Sequence, residues 1–247
     1  MQISMIMPNY NGEKYLDKAL GGFAVQDHSD KRLIVVDGKS TDASHAILSD
    51  FTAGRADVTW SKAADQGISD AINIGAELVG DDSVCGYLGS DDILRQGALA
   101  EVSRLFEEFP FIDAVYCRSY FYDGKGMVRM HVPLPVFSKK MLRRHGTIAG
   151  LQNFFVRAPL LKTLRMDTGL RYAMDLDFYF RMIANGHSRI LPSPFISTLN
   201  MGDGSISTSQ SIASSRERHR VTLAHCGFHP KTAVRYVWAS TRLGFKG

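Results

Sequence analysis

The amino-acid sequence predicts an α/β protein built on a doubly wound, mostly parallel central sheet with flanking helices and a smaller second region. Short apolar runs alternate with segments of helical periodicity as far as about residue 118, which is typical of parallel strands joined by helical crossovers. The 247 residues are 45% hydrophobic and 22% charged, an ordinary globular composition that can bury a large core.

Strands are expected where the runs are short, apolar and often β-branched, and helices where apolar residues recur every three or four positions. The first helix shows this spacing clearly, with Leu16, Ala19, Leu20 and Phe23 on one face. The predicted strands are 3–7, 33–36, 58–60, 84–88 and 114–117, and the predicted helices are 12–26, 41–51, 68–79 and 96–106.

The pattern changes after about residue 118. A hairpin is expected over 120–130 around Asp123-Gly-Lys-Gly, because Asp-Gly favours a tight turn. The other expectations are a basic, amphipathic segment at 133–145, a strand at 152–157, a helix at 175–185, a proline-interrupted strand at 188–197 and two basic helices in 215–243. We expect one domain, 1–215, with halves 1–118 and 119–215, followed by a basic helical extension, 216–247.

Charge and cysteine content exclude several classes of protein. The net charge of +4 is too small to predict nucleic-acid binding. The three cysteines are far apart and predict neither a disulfide framework nor a zinc site, which fits a reducing, cytoplasmic compartment. No signal peptide and no apolar run of the ~20 residues that span a membrane are recognised. The basic C-terminal third suits either peripheral contact with an anionic membrane surface or a solvated face.

The most informative residues are two adjacent carboxylates, Asp91 and Asp92, which follow the apolar run 84–88. Like charges this close repel, and removal from water strengthens the repulsion. Mg²⁺ or Mn²⁺ would relieve it, since these ions bind one or two carboxylates together with substrate phosphates. The alternative is a surface turn in which Asp91 or Asp92 caps the following helix.

Position in the sheet favours a binding site over a turn. Polar segments at 8–12, 37–42 and 89–92 leave the carboxyl ends of three expected strands, where open α/β sheets bind ligands. A second acid pair, Asp81 and Asp82, precedes its strand and is expected to form a turn at the opposite edge. Neither a G-x-G-x-x-G fingerprint nor a P-loop occurs, so a standard dinucleotide or P-loop phosphate site is not predicted.

These segments resemble the signature blocks of family-2 glycosyltransferases, which are inverting enzymes with the GT-A fold. The resemblance covers roughly residues 1–207 and suggests the bacterial cell-surface polysaccharide type. The blocks are Pro8-Asn-Tyr-Asn-Gly-Glu-Lys-Tyr-Leu16, Val35-Val-Asp-Gly-Lys-Ser-Thr-Asp42, Asp65-Gln-Gly-Ile-Ser-Asp-Ala-Ile-Asn-Ile-Gly75, Leu88-Gly-Ser-Asp-Asp92, Met174-Asp-Leu-Asp-Phe-Tyr-Phe-Arg181 and Gly204-Ser-Ile-Ser207.

The resemblance implies a donor site for a nucleotide-sugar. Asp37 matches the acid that accepts a hydrogen bond from the base, most often uracil N3–H; its alternative role is a side-chain turn between strand and helix. Asp70 and Asn73 match positions that fix a loop or touch the nucleotide, and Asn73 could equally be a helix-surface amide. The implied donor-binding residues are Pro8, Tyr10, Asn11, Asp37, Asp65, Gly67, Asp70, Asn73, Ser90, Asp91 and Gln152.

The resemblance also implies the metal ligands and the base. Asp92 matches the better ligand for Mg²⁺ or Mn²⁺, and Asp91 a ligand or a ribose-contacting neighbour. Asp175 matches the catalytic base, and its chemistry requires a carboxylate that takes a proton from the acceptor hydroxyl. Asp177 lies two residues on and is expected to cap the helix or to pair with Arg181 at i,i+4.

The sequence departs from the family pattern at three positions. Ser90 stands where the family usually has an acid, Met174 where it has Glu, and Leu151 where it has His before Gln152. These departures leave metal affinity and base tuning open and favour one alternative, a catalytically degenerate nucleotide-sugar-binding subunit. A nucleotidyltransferase is a second alternative, although 8–12 lacks the basic, Gly-rich phosphate loop that it would need.

The predicted activity is the metal-dependent, inverting transfer of one sugar from a nucleotide-diphosphate sugar, UDP-linked above all, to an acceptor hydroxyl. The expected acceptor is a glycan or a lipid-linked glycan. The donor would bind to residues 1–118, and residues 119–215 would shape the acceptor side.

Overall fold

The computed structural model describes residues 1–62, 65–122, 128–133, 136–201 and 212–228. Within these residues nine strands form one sheet. The strands are β1 (Ile3–Asn9), β2 (Lys31–Asp37), β3 (Val58–Ser61), β4 (Val84–Tyr87), β5 (Asp92–Leu94), β6 (Ala114–Tyr122), β7 (Val128–His131), β8 (Phe154–Arg157) and β9 (Ile190–Asn200). The helices are α1 (Glu13–Ala24), α2 (Ser44–Thr52), α3 (Ile68–Glu77), α4 (Ala98–Glu108), α5 (Lys139–His145), α6 (Ala158–Leu164), α7 (Met174–Ala184) and α8 (Ile212–Cys226), with one 3₁₀ turn at Leu151–Asn153.

The strand order is β3-β2-β1-β4-β8-β6-β9-β5, with β7 paired to β6. Strands β1 to β4 are parallel, β8 is antiparallel to both its neighbours, and β9 is parallel to β6. Six of the nine strands in the described residues therefore run in one direction, which confirms the predicted mostly parallel sheet. The β1–β2 register sets Asn9 beside Asp37, so the polar segments after these strands begin side by side.

Alternating side chains of the central strands bury against helices on both faces of the sheet. In β1, Ile3, Met5 and Met7 belong to one buried cluster and Ile6 to the other. Because a strand sends successive side chains to opposite faces, a strand that is apolar throughout needs cover on both sides. The sheet is accordingly doubly wound, as predicted.

Three elements differ from the sequence prediction. Strand β5 and helix α6 were not expected, and the strand expected at 152–157 begins with a 3₁₀ turn and becomes extended only at Phe154. Helix α4 begins at Ala98 after Gly97 and has no side-chain cap, while Asp92 lies in β5. The alternative in which Asp91 or Asp92 caps this helix is therefore wrong.

Three sequence expectations fall outside the described residues: the turn at 123–126, the segment 204–207 and the helix expected after residue 230. The Asp81–Asp82 pair forms an exposed turn, as predicted, and Lys162 contacts Asp81. In the part of the chain that the structure describes, no helix is long and apolar enough to cross a membrane.

Candidate active site

A cleft of about 450 Å³ opens at the carboxyl edge of the parallel strands. It lies where the predicted segments converge, and it gathers eight of the sequence-predicted site residues. These are Pro8, Tyr10, Asn11, Gly67, Ser90, Asp91, Asp92 and Gln152. Five other predicted residues are not in its lining: Asp37, Asp65, Asp70, Asn73 and Asp175.

The loops after β1 and β2 hold each other through reciprocal hydrogen bonds. Asn11 accepts from the Thr41 N–H at 2.8 Å, and its own N–H donates to Ser40 Oγ at 2.8 Å. One step on, the Glu13 N–H donates to Asp42, and Glu13 accepts from the Ala43 N–H, each at 2.9 Å. The N–H groups of Glu13, the first residue of α1, and of Ala43, the N-cap residue of α2, are thus each satisfied by the opposite loop. Tyr10, next to these contacts, stays 66% exposed on the cleft.

Asp37 lies beneath these loops and is fully buried, at 0% exposure. Its Oδ2 accepts from Asn9 Nδ2 and Ser40 Oγ, both at 2.7 Å, and its Oδ1 accepts from the Ser40 N–H and pairs with His45 Nε2, both at 2.9 Å. The bond to the Ser40 N–H forms the side-chain turn weighed as an alternative for Asp37. Burial raises the pKa of Asp37, but the hydrogen bonds from Ser40, Asn9 and His45 outweigh burial and hold this pKa below its ordinary value.

Asp65 lies against the loop after β2, where Gly38 leaves room for it. A Cβ on Gly38 would sit 2.8 Å from Asp65 Oδ2, so any larger residue at position 38 would push the Asp65 carboxylate aside. Asp65 accepts from the Gly67 N–H at 2.9 Å, and Asp70 accepts from the Gln66 N–H at 3.0 Å. Burial, with smaller contributions from the charges of Asp70 and Asp37, raises the pKa of Asp65.

Asn73 is buried and acts within the protein. Its Nδ2 donates to the Met166 carbonyl at 2.9 Å, and its Oδ1 accepts from the Met166 N–H at 2.7 Å. Helix α3 is thereby fixed to Met166, in the segment that follows α6. Of the roles considered for Asn73, the geometry matches loop fixation.

Asp91 and Asp92 form the acidic part of the cleft. Asp92 is buried; its Oδ2 accepts from the Gly89 N–H at 3.1 Å, and its Oδ1 accepts from Asn200 Nδ2 at 2.8 Å. Burial raises the pKa of both carboxyls, and the neighbouring charge of Asp91 raises that of Asp92 further. Ionising both carboxyls is therefore unfavourable without a positive charge nearby. A bound cation would stabilise the ionised pair.

The donor set fits a divalent ion that is shared with a substrate. Among the described residues, no group of three or more His, Cys, Asp or Glu side chains could hold a metal, so Asp91 and Asp92 would supply the protein's part of the shell. Mg²⁺ is commonly held by one or two carboxylates while substrate phosphates and water complete its shell. Asn200 and Gly89 would orient the carboxylate of Asp92 toward such an ion.

Asp175 lies in the first turn of α7 and is partly exposed. Its Oδ1 accepts from Thr147 Oγ1 at 3.1 Å and from the Leu176 N–H at 2.6 Å. Removal from water raises the pKa of Asp175 to about 6, against the opposing effects of these hydrogen bonds and of Arg218. A carboxylate with this pKa is suited to take a proton near neutral pH.

Asp177 faces away from Asp175 and is buried in a structural contact. It pairs with Arg181 at 2.7 Å, as predicted for the i,i+4 spacing, and with His225 of α8 at 2.7 Å. Met174, the residue before Asp175, lines a second cleft of about 300 Å³ that shares Gly67 and Ile68 with the first. The N-terminus of α7 therefore borders a cleft that adjoins the first one.

Sequence reasoning missed seven of the residues that line the cleft: Asn9, Gly12, Lys14, Tyr15, Ile68, Tyr87 and Asn200. Lys14 and Tyr15 lie inside a recognised block, so their position was a usable signal. Asn200 gives no local signal, because it meets Asp92 only through the pairing of β5 with β9.

The chain matches the family model described as "Glycosyl transferase family 2" over residues 4–166. The match covers more than half of the 247 residues and contains the four blocks that line or support the cleft. The protein belongs to glycosyltransferase family 2. The resemblance identified from its sequence is therefore confirmed.

Two curated relatives show sequence similarity to this chain. An uncharacterized glycosyltransferase, alr2836 of Nostoc sp., is 32% identical over 43% of this chain and 33% of its own length. The minor teichoic acid biosynthesis protein GgaB of Bacillus subtilis is 25% identical over 70% of this chain and 20% of its own length. The chain thus spans a third or less of the length of these relatives.

Solved structures share the fold of this glycosyltransferase. S. aureus TarS in complex with UDP-GlcNAc superposes with a TM-score of 0.70 at 18% identity, covering 98% of this chain and 71% of that one. Glucosyl-3-phosphoglycerate synthase from Mycobacterium tuberculosis, in complex with Mn²⁺, UDP and glucosyl-3-phosphoglycerate, gives a TM-score of 0.63 at 16% identity, covering 92% and 81%. The GT-A-like fold predicted from the sequence is thereby confirmed.

Proposed function

We propose that the protein is an inverting, metal-dependent glycosyltransferase that moves a sugar from a UDP-sugar to an acceptor hydroxyl. The observation that carries the proposal is the Asp91–Asp92 pair on a cleft at the carboxyl edge of a family-2 sheet. A nucleotide diphosphate brings negative charge to two carboxylates; Asp91 and Asp92 would hold a Mg²⁺ or Mn²⁺ ion, whose charge would offset that repulsion.

The first loop and the strand ends supply the donor-binding surface. Tyr10 offers an exposed ring on which a base can stack, and Asp65 and Gly67 flank the same edge. Asp37 supports this surface from below; for its carboxylate to accept from uracil N3–H, one of its present hydrogen bonds must give way. UDP as the nucleotide is supported by the structural neighbours that hold UDP or UDP-GlcNAc.

Asp175 is the proposed base. The acceptor hydroxyl attacks the anomeric carbon from the face opposite the leaving nucleotide diphosphate, and Asp175 takes the hydroxyl proton as the new bond forms. Direct displacement from that face inverts the anomeric centre. The cation, when bound, offsets the negative charge that builds on the departing diphosphate.

The proposed acceptor is a glycan or lipid-linked glycan of a cell-surface polysaccharide or glycolipid. The name of GgaB, a teichoic acid biosynthesis protein, supports this class. Residues 119–215 would shape the acceptor side, and the basic extension 216–247 would allow contact with the cytoplasmic face of an anionic membrane.

A donor screen tests the proposal. The protein is heated with UDP-, GDP- or dTDP-sugars, with and without Mn²⁺, because a ligand that binds the folded state raises the melting temperature by mass action. The donor that shifts the melting temperature is then assayed for sugar hydrolysis and transfer. We expect a UDP-sugar to serve as donor for hydrolysis or transfer, and only when Mn²⁺ is present.

Variants separate the possible outcomes. Asp175→Asn should abolish transfer while UDP and Mn²⁺ still raise the melting temperature. Asp82→Asn, in the exposed turn at the opposite edge of the sheet, is the matched control and should keep full activity. Binding without turnover would indicate a nucleotide-sugar-binding subunit, and release of pyrophosphate from a nucleoside triphosphate would indicate a nucleotidyltransferase. Full activity of Asp175→Asn would rule out Asp175 as the base.

A further inference from the structure

We propose that Glu217, on α8, is a positioning residue for Asp175, an inference that rests on the proposed function. Glu217 Oε1 accepts hydrogen bonds from the N–H groups of Tyr172 at 2.6 Å and Ala173 at 2.8 Å. The Arg171 N–H also donates to Oε1, at 3.0 Å. One carboxylate, from a helix far away in sequence, thus accepts hydrogen bonds from three successive N–H groups immediately before α7.

Helix α7 has no cap of its own. Its N-cap residue is Ala173, whose methyl group cannot accept a hydrogen bond. The first N–H groups of any helix lack partners within the helix and need an acceptor from elsewhere. Glu217 accepts from the N–H groups of the N-cap residue Ala173 and of the two residues before it, across 44 to 46 residues of sequence, and its negative charge suits a helix N-terminus.

The rest of α8 keeps Glu217 in place. Farther along α7, His225 pairs with Asp177 at 2.7 Å and stacks on Phe180 with ring centroids 4.9 Å apart. The contacts advance along both helices in the same order, so α8 runs alongside α7 in the same direction. The two helices are therefore fastened at two points, of which Glu217 is the one next to Asp175.

Asp175 is the second residue of α7 and depends on that first turn for its position. If the turn frays, the carboxylate moves relative to the acceptor hydroxyl, and a displacement of about 1 Å can cost on the order of 100-fold in rate. The donor-binding residues lie on other elements and would not move. The signature of Glu217 is therefore a lower kcat with an unchanged KM for the donor.

Charge gives a second signature. Arg218 of α8 and Thr147 act directly on Asp175, and Tyr179 of α7 feels its charge. Glu217 of α8 accepts from the N–H of Ala173, two residues before Asp175. Removing the negative charge of Glu217 should make Asp175 easier to ionise and move the pH midpoint of kcat downward. A purely structural role would reduce the amount of folded enzyme and leave the midpoint where it is.

The test uses the full chain with Glu217→Ala, Glu217→Gln and, as matched control, Arg220→Ala on an exposed position of α8. Glu217→Ala should lower kcat by about 10-fold or more, keep the donor KM within about twofold and shift the pH midpoint downward. Glu217→Gln retains an acceptor oxygen, so it should recover most of kcat but show the same shift. Arg220→Ala should match the wild type.

Each outcome bears on one claim. Wild-type kcat and pH midpoint in both Glu217 variants would overturn the positioning role. If Glu217→Ala does not fold, Glu217→Gln decides through its midpoint. If the wild type transfers no sugar from any donor, the proposed function fails instead, and the two failures are distinguished by that first measurement.

Discussion

Asn200 holds the buried carboxylate of Asp92 across the β5–β9 pair, with Nδ2 of Asn200 2.8 Å from Oδ1 of Asp92. A carboxylate that ligates a metal needs a fixed orientation, and a hydrogen bond from outside the metal shell provides it. Asn200 also lines the cleft. It therefore links the last strand of the sheet to the proposed metal site.

We expect Asn200→Ala to weaken metal use. Losing an outer-shell partner typically costs 10- to 100-fold in metal affinity or activity, so the Mn²⁺ concentration for half-maximal transfer should rise about 10-fold or more. Titration of transfer with MnCl₂ measures this. Asn185→Ala, an exposed amide at the end of α7, is the control. An unchanged Mn²⁺ requirement in Asn200→Ala would remove Asn200 from the metal site.

Asp37 is expected to be a major contributor to stability. Asp37→Asn replaces an acceptor of four hydrogen bonds by an amide that cannot accept at both ends, and unsatisfied buried polar groups cost about 1–3 kcal/mol each. We predict a loss of about 2–3 kcal/mol in the free energy of unfolding at neutral pH. Urea denaturation measures the loss, and exposed Asp50→Asn on α2 should change little.

The pH dependence of that loss has a definite sign. The pKa of Asp37 is lowered on folding, so its contribution is present above the ordinary value of 3.8 and is lost as the pH falls through the lower folded value. The difference between wild type and Asp37→Asn should therefore narrow below about pH 4. A difference that stays constant to pH 3 would show that the ionised form of Asp37 is not what stabilises the fold.

Local patterns predicted the parallel half of the sheet well, because the signals are contained within single elements. The alternation of Ile3, Met5 and Met7 with Ile6 specifies both faces of β1 before any contact is known. Strand β5 was missed because it has three residues, starts with Asp92 and is defined by its pairing with β9, about a hundred residues later.

For the site too, residues within local sequence motifs were predictable and residues that act through distant contacts were not. The family blocks brought Tyr10, Ser90 and Asp91 to one cleft, as their positions after parallel strands predict. The blocks could not distinguish a residue that faces the cleft from one that supports it, since Asp37 and Asn73 satisfy their hydrogen bonds inside the protein. Asn200 and Glu217 were unpredictable because each acts on a residue far away in sequence.

A substitution at Gly38 tests the role of Asp65 in donor binding with little effect on stability. The backbone of Gly38 is in an ordinary region, but an added Cβ would lie 2.8 Å from Asp65 Oδ2, so Gly38→Ala should displace Asp65. We expect weaker binding of the UDP-sugar, by several-fold, with little change in melting temperature. Calorimetric titration of the donor with Mn²⁺ measures this.

Gly21→Ala is the matched control for Gly38→Ala. Gly21 lies within α1, and a Cβ there would meet no atom within 4 Å apart from the backbone of its own helix. Alanine favours a helix over glycine by about 1 kcal/mol. The control should raise the melting temperature and leave donor affinity unchanged. Equal donor affinity in both variants would exclude Asp65 from the donor site.

The raised pKa of Asp175 predicts opposite effects of pH on activity and on stability. As a base, Asp175 must be ionised, so kcat at saturating donor and metal should fall as the pH drops through about 6. A carboxyl whose pKa rises from 3.8 to about 6 on folding binds its proton more tightly in the folded state. The stability that this proton contributes is therefore complete below about pH 4 and lost as the pH rises through about 6. Asp175→Asn, which carries no charge, should melt at a higher temperature than the wild type at about pH 7.5 and at a similar temperature near pH 4.

Melting curves at both pH values, together with the pH profile of kcat, check the two effects. An Asp175→Asn variant with no advantage at the higher pH, or a kcat that is flat down to about pH 4.5, would show that Asp175 does not titrate as the base of this site.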